Sequence, residues 1–149
     1  VEVAARTGHS QYQSTFFAPY FLSLQADALW HQGKIDDAIN VMKTMLSLIS
    51  KKSPLYSLYE IKQARMMLES NQEETRLQGL ELLISLANNN ENSQQDQALY
   101  YLGMHYINGG KKDAAKDSFQ KLVAIFGGKK TADYRSPWLS MAQVILQQE

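Results

Sequence analysis

Leu99-Tyr-Tyr-Leu-Gly-Met-His-Tyr-Ile-Asn-Gly-Gly-Lys-Lys-Asp-Ala-Ala-Lys-Asp-Ser-Phe119 is the stretch that decides the fold. Leu99, Leu102, Gly103, Tyr106 and Ile107 fall on one side of a helix, spaced as i, i+3, i+4, i+7 and i+8. Gly109-Gly110 ends that pattern, and a second helical pattern opens with Ala115 and Phe119. The stretch reads as helix, tight turn, helix.

Working outward, the same device recurs. Gly33, Asn71 and Gly110 each sit between two periodic segments, 38 and 39 residues apart. Seven positions before them lie Ala26, Ala64 and Gly103, and a further step of 39 reaches Ala142. Each small residue is followed three positions later by a large one: Leu29, Met67, Tyr106 and Ile145. The second helices carry Ala38, Gly79 and Ala115, followed by Met42, Leu83 and Phe119. In the middle unit this register needs three extra residues in the turn, within 72–75. Two helices approach closely only where one presents Ala or Gly, so this spacing predicts stacked helical hairpins.

Composition agrees. Leu (18), Ala (14) and Met (6) far outnumber Val (5) and Ile (8), which favours helix over strand because unbranched side chains keep rotamer freedom there. The expected class is all-α, with about seven helices near 15–32, 35–51, 54–70, 74–88, 95–109, 111–127 and 137–148. Ser53-Pro54 and Ser136-Pro137 each place a capping hydroxyl before a proline suited to a first turn.

This pattern resembles the tetratricopeptide repeat (TPR). The best unit carries that family's Leu-Gly-x-x-Tyr as Leu102, Gly103 and Tyr106, its turn glycine as Gly110, then Ala115 and Phe119. The first unit matches from Trp30 to Ile39, and the resemblance covers about residues 19–148. Three departures stand out. Gln25 and Gln63 occupy a position where the family prefers Leu, the period is four or five residues long, and the proline after the second helix is missing. The resemblance implies a right-handed superhelical array of three hairpins, at about 19–52, 55–88 and 96–128, with a capping helix at 137–148. Residues 1–13 read as an N-terminal extension or linker, leaving 14–149 as the repeat domain.

The resemblance further implies a concave surface lined by first helices. Carried over position by position, its partner-binding residues are Leu24, Trp30, Ile61, Lys62, Arg65, Tyr100, Tyr101 and Met104. An apolar and aromatic face of this kind suits a peptide or amphipathic helix. The two-carboxylate clamp of chaperone-tail binders needs Lys and Asn where this chain has Ser23 and Asp27, so that ligand is not expected. Tyr100 and Tyr101 lie ~100° apart on a helix, which argues against one shared neighbour. Arg65 and Glu69, four apart, read as a pair within one helix. Alanine at Tyr101 is expected to weaken binding and spare the fold. If residues 1–13 fold back, they would cover the groove, with Val1, Val3 and Tyr12 as anchors.

Other function classes find little support. Fifteen basic and fifteen acidic residues give no net charge, against a nucleic-acid footprint. The chain has no cysteine, which excludes disulfides and thiol chemistry. His9, His31 and His105 have no metal-ligand spacing, and His105 beside Gly103 reads as an interior histidine. No nucleophile elbow or phosphate loop occurs, and no apolar run approaches the ~20 residues that cross a bilayer. The expectation is therefore a non-enzymatic protein-interaction module without cofactor or metal, whose partner is another protein. The alternative is a structural, homodimerising domain of a bacterial envelope assembly. The compartment is left open: periplasm or envelope if a leader or anchor preceded Val1, cytoplasm otherwise.

Overall fold

A computed structural model describes residues 1–11, 17–128 and 136–148. Among these residues the chain is all-helical, with α1 (Glu2–Gln11), α2 (Ala18–His31), α3 (Ile35–Ser47), α4 (Pro54–Leu68), α5 (Glu73–Asn88), α6 (Gln95–Asn108), α7 (Lys112–Phe126) and α8 (Pro137–Gln147). Seven of the eight are the expected helices, with ends shifted by a few residues. The eighth, α1, falls in the stretch read as an extension or linker. The fold is a TPR-like array of antiparallel helix hairpins.

Local chemistry sets the boundaries. The Ser53 and Ser136 hydroxyls accept hydrogen bonds from the backbone N–H groups of Leu55 and Leu139, each at 3.3 Å, and Pro54 and Pro137 begin α4 and α8. Gly33 and Gly110 take the left-handed conformation, at φ 75° and 71°, which reverses the chain at little steric cost. Asp36, in the first turn of α3, accepts hydrogen bonds from Ser70 Oγ (3.0 Å) and Gln72 Nε2 (3.2 Å). It thereby ties the α4–α5 turn to the start of α3.

The chain divides into two compact units, residues 1–82 and 83–149, with the boundary inside α5. In the first, α2 and α3 pair closely and α4 packs on α3. Leu22, Ala26, Leu29, Ala38, Ile39, Met42, Met45, Leu46, Met66 and Met67 form its core, with Tyr56 and Tyr59 packed against it. In the second, α6 pairs with α7, and α8 packs on both. Leu99, Leu102, Phe119 and Leu122 are buried there.

The small residues sit where the period placed them. Ala26, Ala38, Ala64, Ala115 and Ala142 are all fully buried, and Gly79 and Gly103 are buried with them. A Cβ on Gly79 would lie 2.7 Å from Met67 Cβ and 3.0 Å from the Ala64 carbonyl oxygen, so α4 and α5 meet backbone to backbone. On Gly103 it would lie 2.6 Å from the Phe119 ring.

Helix α1 departs from expectation in its anchors. It packs against α2, but Val1 and Val3 are 87% and 78% exposed, and among its described side chains the buried positions are Ala5 and Gly8. Tyr12 lies outside the described residues. Nor does α1 lie over Trp30: it meets α2 at Phe21 and Gln32, and the helical rotation sets those residues on the side of α2 away from Trp30.

Candidate functional site

In the first unit, side chains join the two first helices α2 and α4 directly. Lys62 on α4 donates to Ser23 Oγ at 3.0 Å and pairs with the Asp27 carboxylate at 2.6 Å. One helical turn further, the Trp30 indole N–H donates to Glu69 Oε2 at 2.7 Å. The Arg65 guanidinium lies over the Trp30 ring, 5.2 Å from its centroid, a favourable placement for a cation on an aromatic face. The Ser23–Lys62 and Trp30–Glu69 bonds each span 39 residues. Both bonds join positions one residue out of register with the 38-residue step that relates Ala26 to Ala64, and they form a short ladder of polar contacts between α2 and α4.

This ladder brings together Trp30, Lys62 and Arg65, with Leu24 half-buried on the same helix as Trp30. Ile61 differs: it is 1% exposed, so its side chain meets the interior and not a partner. Its neighbours on α4 turn toward α2, and the 3.6-residue period carries Ile61 inward. Glu69, expected beside Arg65 on one helix, accepts a hydrogen bond from Trp30 across the hairpins. Asp27, Glu69, Lys62 and Arg65 balance in sign, so the face presents a held indole rather than a field of one sign.

In the second unit, Tyr100, Tyr101 and Met104 are half-buried on α6. The expectation of separate neighbours for the two tyrosines is overturned. Both meet Trp138 of α8, at ring-centroid distances of 5.0 and 5.2 Å, and each other edge-on at 5.6 Å. The indole is large enough to occupy the angle between two rings ~100° apart on one helix. Tyr100 also lies 6.1 Å from Phe119. Tyr101 therefore packs α8 onto α6, and alanine there would disturb the fold as well as any surface.

His105, expected as an interior histidine, is half-buried with its ring 5.8 Å from that of Tyr106. Burial lowers its pKa, and Lys111 nearby lowers it further. Because the unfolded chain binds the proton first, stability should fall as pH drops through the ordinary imidazole value of about 6.5 and level off below the folded pKa. Urea midpoints measured across that window should show the loss, and His105→Gln should flatten it. The Glu60 carboxyl is shifted upward by burial, with Lys51 opposing. It lies on α4 without a second acid or a nucleophile bonded to it among the described residues.

An open depression at the α6–α7 turn is lined by Gly110, Lys111, Lys112, Asp113 and Ala114; it holds no nucleophile paired with a base. Among the described residues no three His, Cys, Asp or Glu gather as metal ligands. No described helix is long and apolar enough to cross a membrane.

The fold and the joined first helices define a helical-hairpin array of the kind that presents surface to other proteins. Residues 97–128, which include the whole of the quoted stretch and the Gly103–Phe119 contact, match the family described as tetratricopeptide repeat. The chain is TPR-like on that match and its all-helical hairpins. The repeat points to a protein–protein interaction module. No curated protein and no solved structure gives a significant match to the chain.

Proposed function

We propose that this chain is a non-enzymatic interaction module whose α2/α4 face docks a peptide or amphipathic helix of a partner protein. The observation that carries this reading is the Trp30 indole, half-buried and held by Glu69 and Arg65. A large aromatic fixed before binding loses little freedom on association, which is what an interface anchor needs. Leu24, half-buried on the same helix, supplies further apolar surface. Lys62 and Arg65 flank it as donors whose present partners, Asp27 and the Trp30 face, leave them oriented toward α2. In the second unit Met104 and the exposed edges of Tyr100 and Tyr101 form a further apolar face.

Selection of displayed helical peptides against the immobilised chain tests this. Wild-type protein should enrich peptides with an apolar stripe, and Trp30→Ala should weaken them by about 2 kcal/mol, or ~30-fold. Trp30→Phe, which keeps an aromatic ring over the core, should lose less, with the helical circular dichroism of both variants unchanged. Enrichment of nothing, or binding indifferent to Trp30, would overturn the proposal.

A second reading, self-association as a structural domain, draws on α8. Its eleven residues include no charge, and Met141 and Val144 stand about half exposed. Sedimentation separates the two: a tight dimer loosened by Val144→Lys favours self-association.

A further inference from the structure

Charge in the first unit is divided between its two ends. Helices α2, α3 and α4 run back and forth, so the turns at Gly33 and Asn71 mark one end. The α3–α4 connection, residues 48–53, and the start of α2 mark the other. Glu2, Asp36, Asp37, Glu69, Glu73 and Glu74 belong to the turn end, Glu2 through its contacts with Gln32 and Lys34. Over 3–26 and 38–59, which supply the opposite end, the sequence carries no acid. Lys43, Lys51 and Lys52 are exposed there. Glu60, the next acid along α4, is half-buried.

The same end displays apolar side chains. Leu48 and Leu55 bracket the connection and are 51% and 50% exposed; Phe17 and Tyr20, at the start of α2, are exposed as well. The connection itself is held in place. Ile49 packs on the core. The Lys52 N–H donates to Ser50 Oγ at 3.3 Å, and the Ser53 N–H to the Ser50 carbonyl oxygen at 2.9 Å. Ser53 in turn caps α4. With the backbone fixed, two leucines face solvent on either side of two cations. The doublet Lys111-Lys112, flanked by Gly110 and Asp113, has neither the leucines nor the acid-free surroundings.

A connection between helix ends forms a projecting edge, which cannot enclose a peptide but can enter a flat surface. Apolar side chains that reach beneath anionic headgroups, with lysines left among the phosphates, are the chemistry of contact with a bilayer surface. A tyrosine at headgroup depth adds to it. The acids of the turn end would be repelled by the same surface, so the charge division also sets the orientation.

We infer that the α3–α4 edge of the first unit docks on an anionic lipid surface, with Leu48 and Leu55 entering the interface and Lys51 and Lys52 meeting headgroup phosphates. The contact needs no membrane-spanning helix. Trp30 lies toward the turn end, so this site stands or falls independently of the α2/α4 face.

The test is co-sedimentation of the full chain with vesicles of phosphatidylcholine alone or with ~30% phosphatidylserine. The wild-type chain should bind the anionic vesicles about tenfold or more tighter than the neutral ones. Lys51→Gln with Lys52→Gln should weaken that binding about 30-fold. Leu48→Ser with Leu55→Ser should weaken it about tenfold or more. Lys111→Gln with Lys112→Gln should change it less than about twofold, and the circular dichroism of all variants should match wild type. Binding to neither vesicle, equal binding to both, or equal losses from the two lysine pairs would overturn the inference. Self-association abolished by the serine pair, in a chain that ignores vesicles, would assign the edge to a second copy instead.

Discussion

Truncating Phe119 to alanine is expected to cost the folded protein about 3–5 kcal/mol. Phe119 heads the fully buried side chains by volume, at 1% exposed, and its ring fills the space that Gly103 leaves open on the facing helix. Removing it deletes the transfer energy of an aromatic ring and leaves a cavity that α6 and α7 can close only by shifting. The complementary change is informative. Gly103→Ala adds one carbon at 2.6 Å from two ring atoms, an overpacking cost of about 1–3 kcal/mol. Phe119→Leu in that background should recover part of it, because the shorter side chain vacates the contested volume. Urea unfolding of the four proteins gives the double-mutant cycle, with a coupling of at least ~0.5 kcal/mol expected for residues in contact. Strict additivity, or a loss below ~1 kcal/mol for Phe119→Ala, would show that this contact does not hold the hairpin.

The next largest effect belongs to the first unit. Met45→Ala should destabilise by about 2–5 kcal/mol, and Met45→Leu by less than ~1.5 kcal/mol. Met45 and Met42 are wholly buried on α3, inside a cluster that takes residues from α2, α3 and α4. Thioether side chains fill the irregular gap between three helices, and leucine approximates their volume. The pair of variants therefore separates lost volume from lost sulfur. Equal destabilisation by both, measured by thermal and urea unfolding, would point to shape rather than volume at this position.

How far each feature could be read follows from its range. The hairpins were legible because the constraint repeats: Ala26, Ala64, Gly103 and Ala142 are small for one reason, close approach, and the structure buries them all. Turns and caps were legible because Gly33, Gly110, Ser53 and Ser136 act on the backbone within a few residues. Helix α1 was missed because the buried positions among its described side chains, Ala5 and Gly8, are small, while Val1 and Val3 face outward. A small–x–x–small spacing was the available signal, and by itself it is weak.

The candidate site shows the same division. The types gathered there, Trp30, Lys62 and Arg65, could be named from a first-helix register, yet their bonding could not. The bond from Trp30 to Glu69, 39 residues away, is one that no spacing announced. Tyr100 and Tyr101 diverge on their helix and still converge on Trp138.

Local chemistry and a recurring interval of small side chains were enough for the chain alone to specify where helices start, stop and touch. Which polar and aromatic groups meet across those contacts was decided by the rotation and separation of packed helices. Those quantities arise only when all the side chains fill space together, and no spacing along one strand of sequence encodes them.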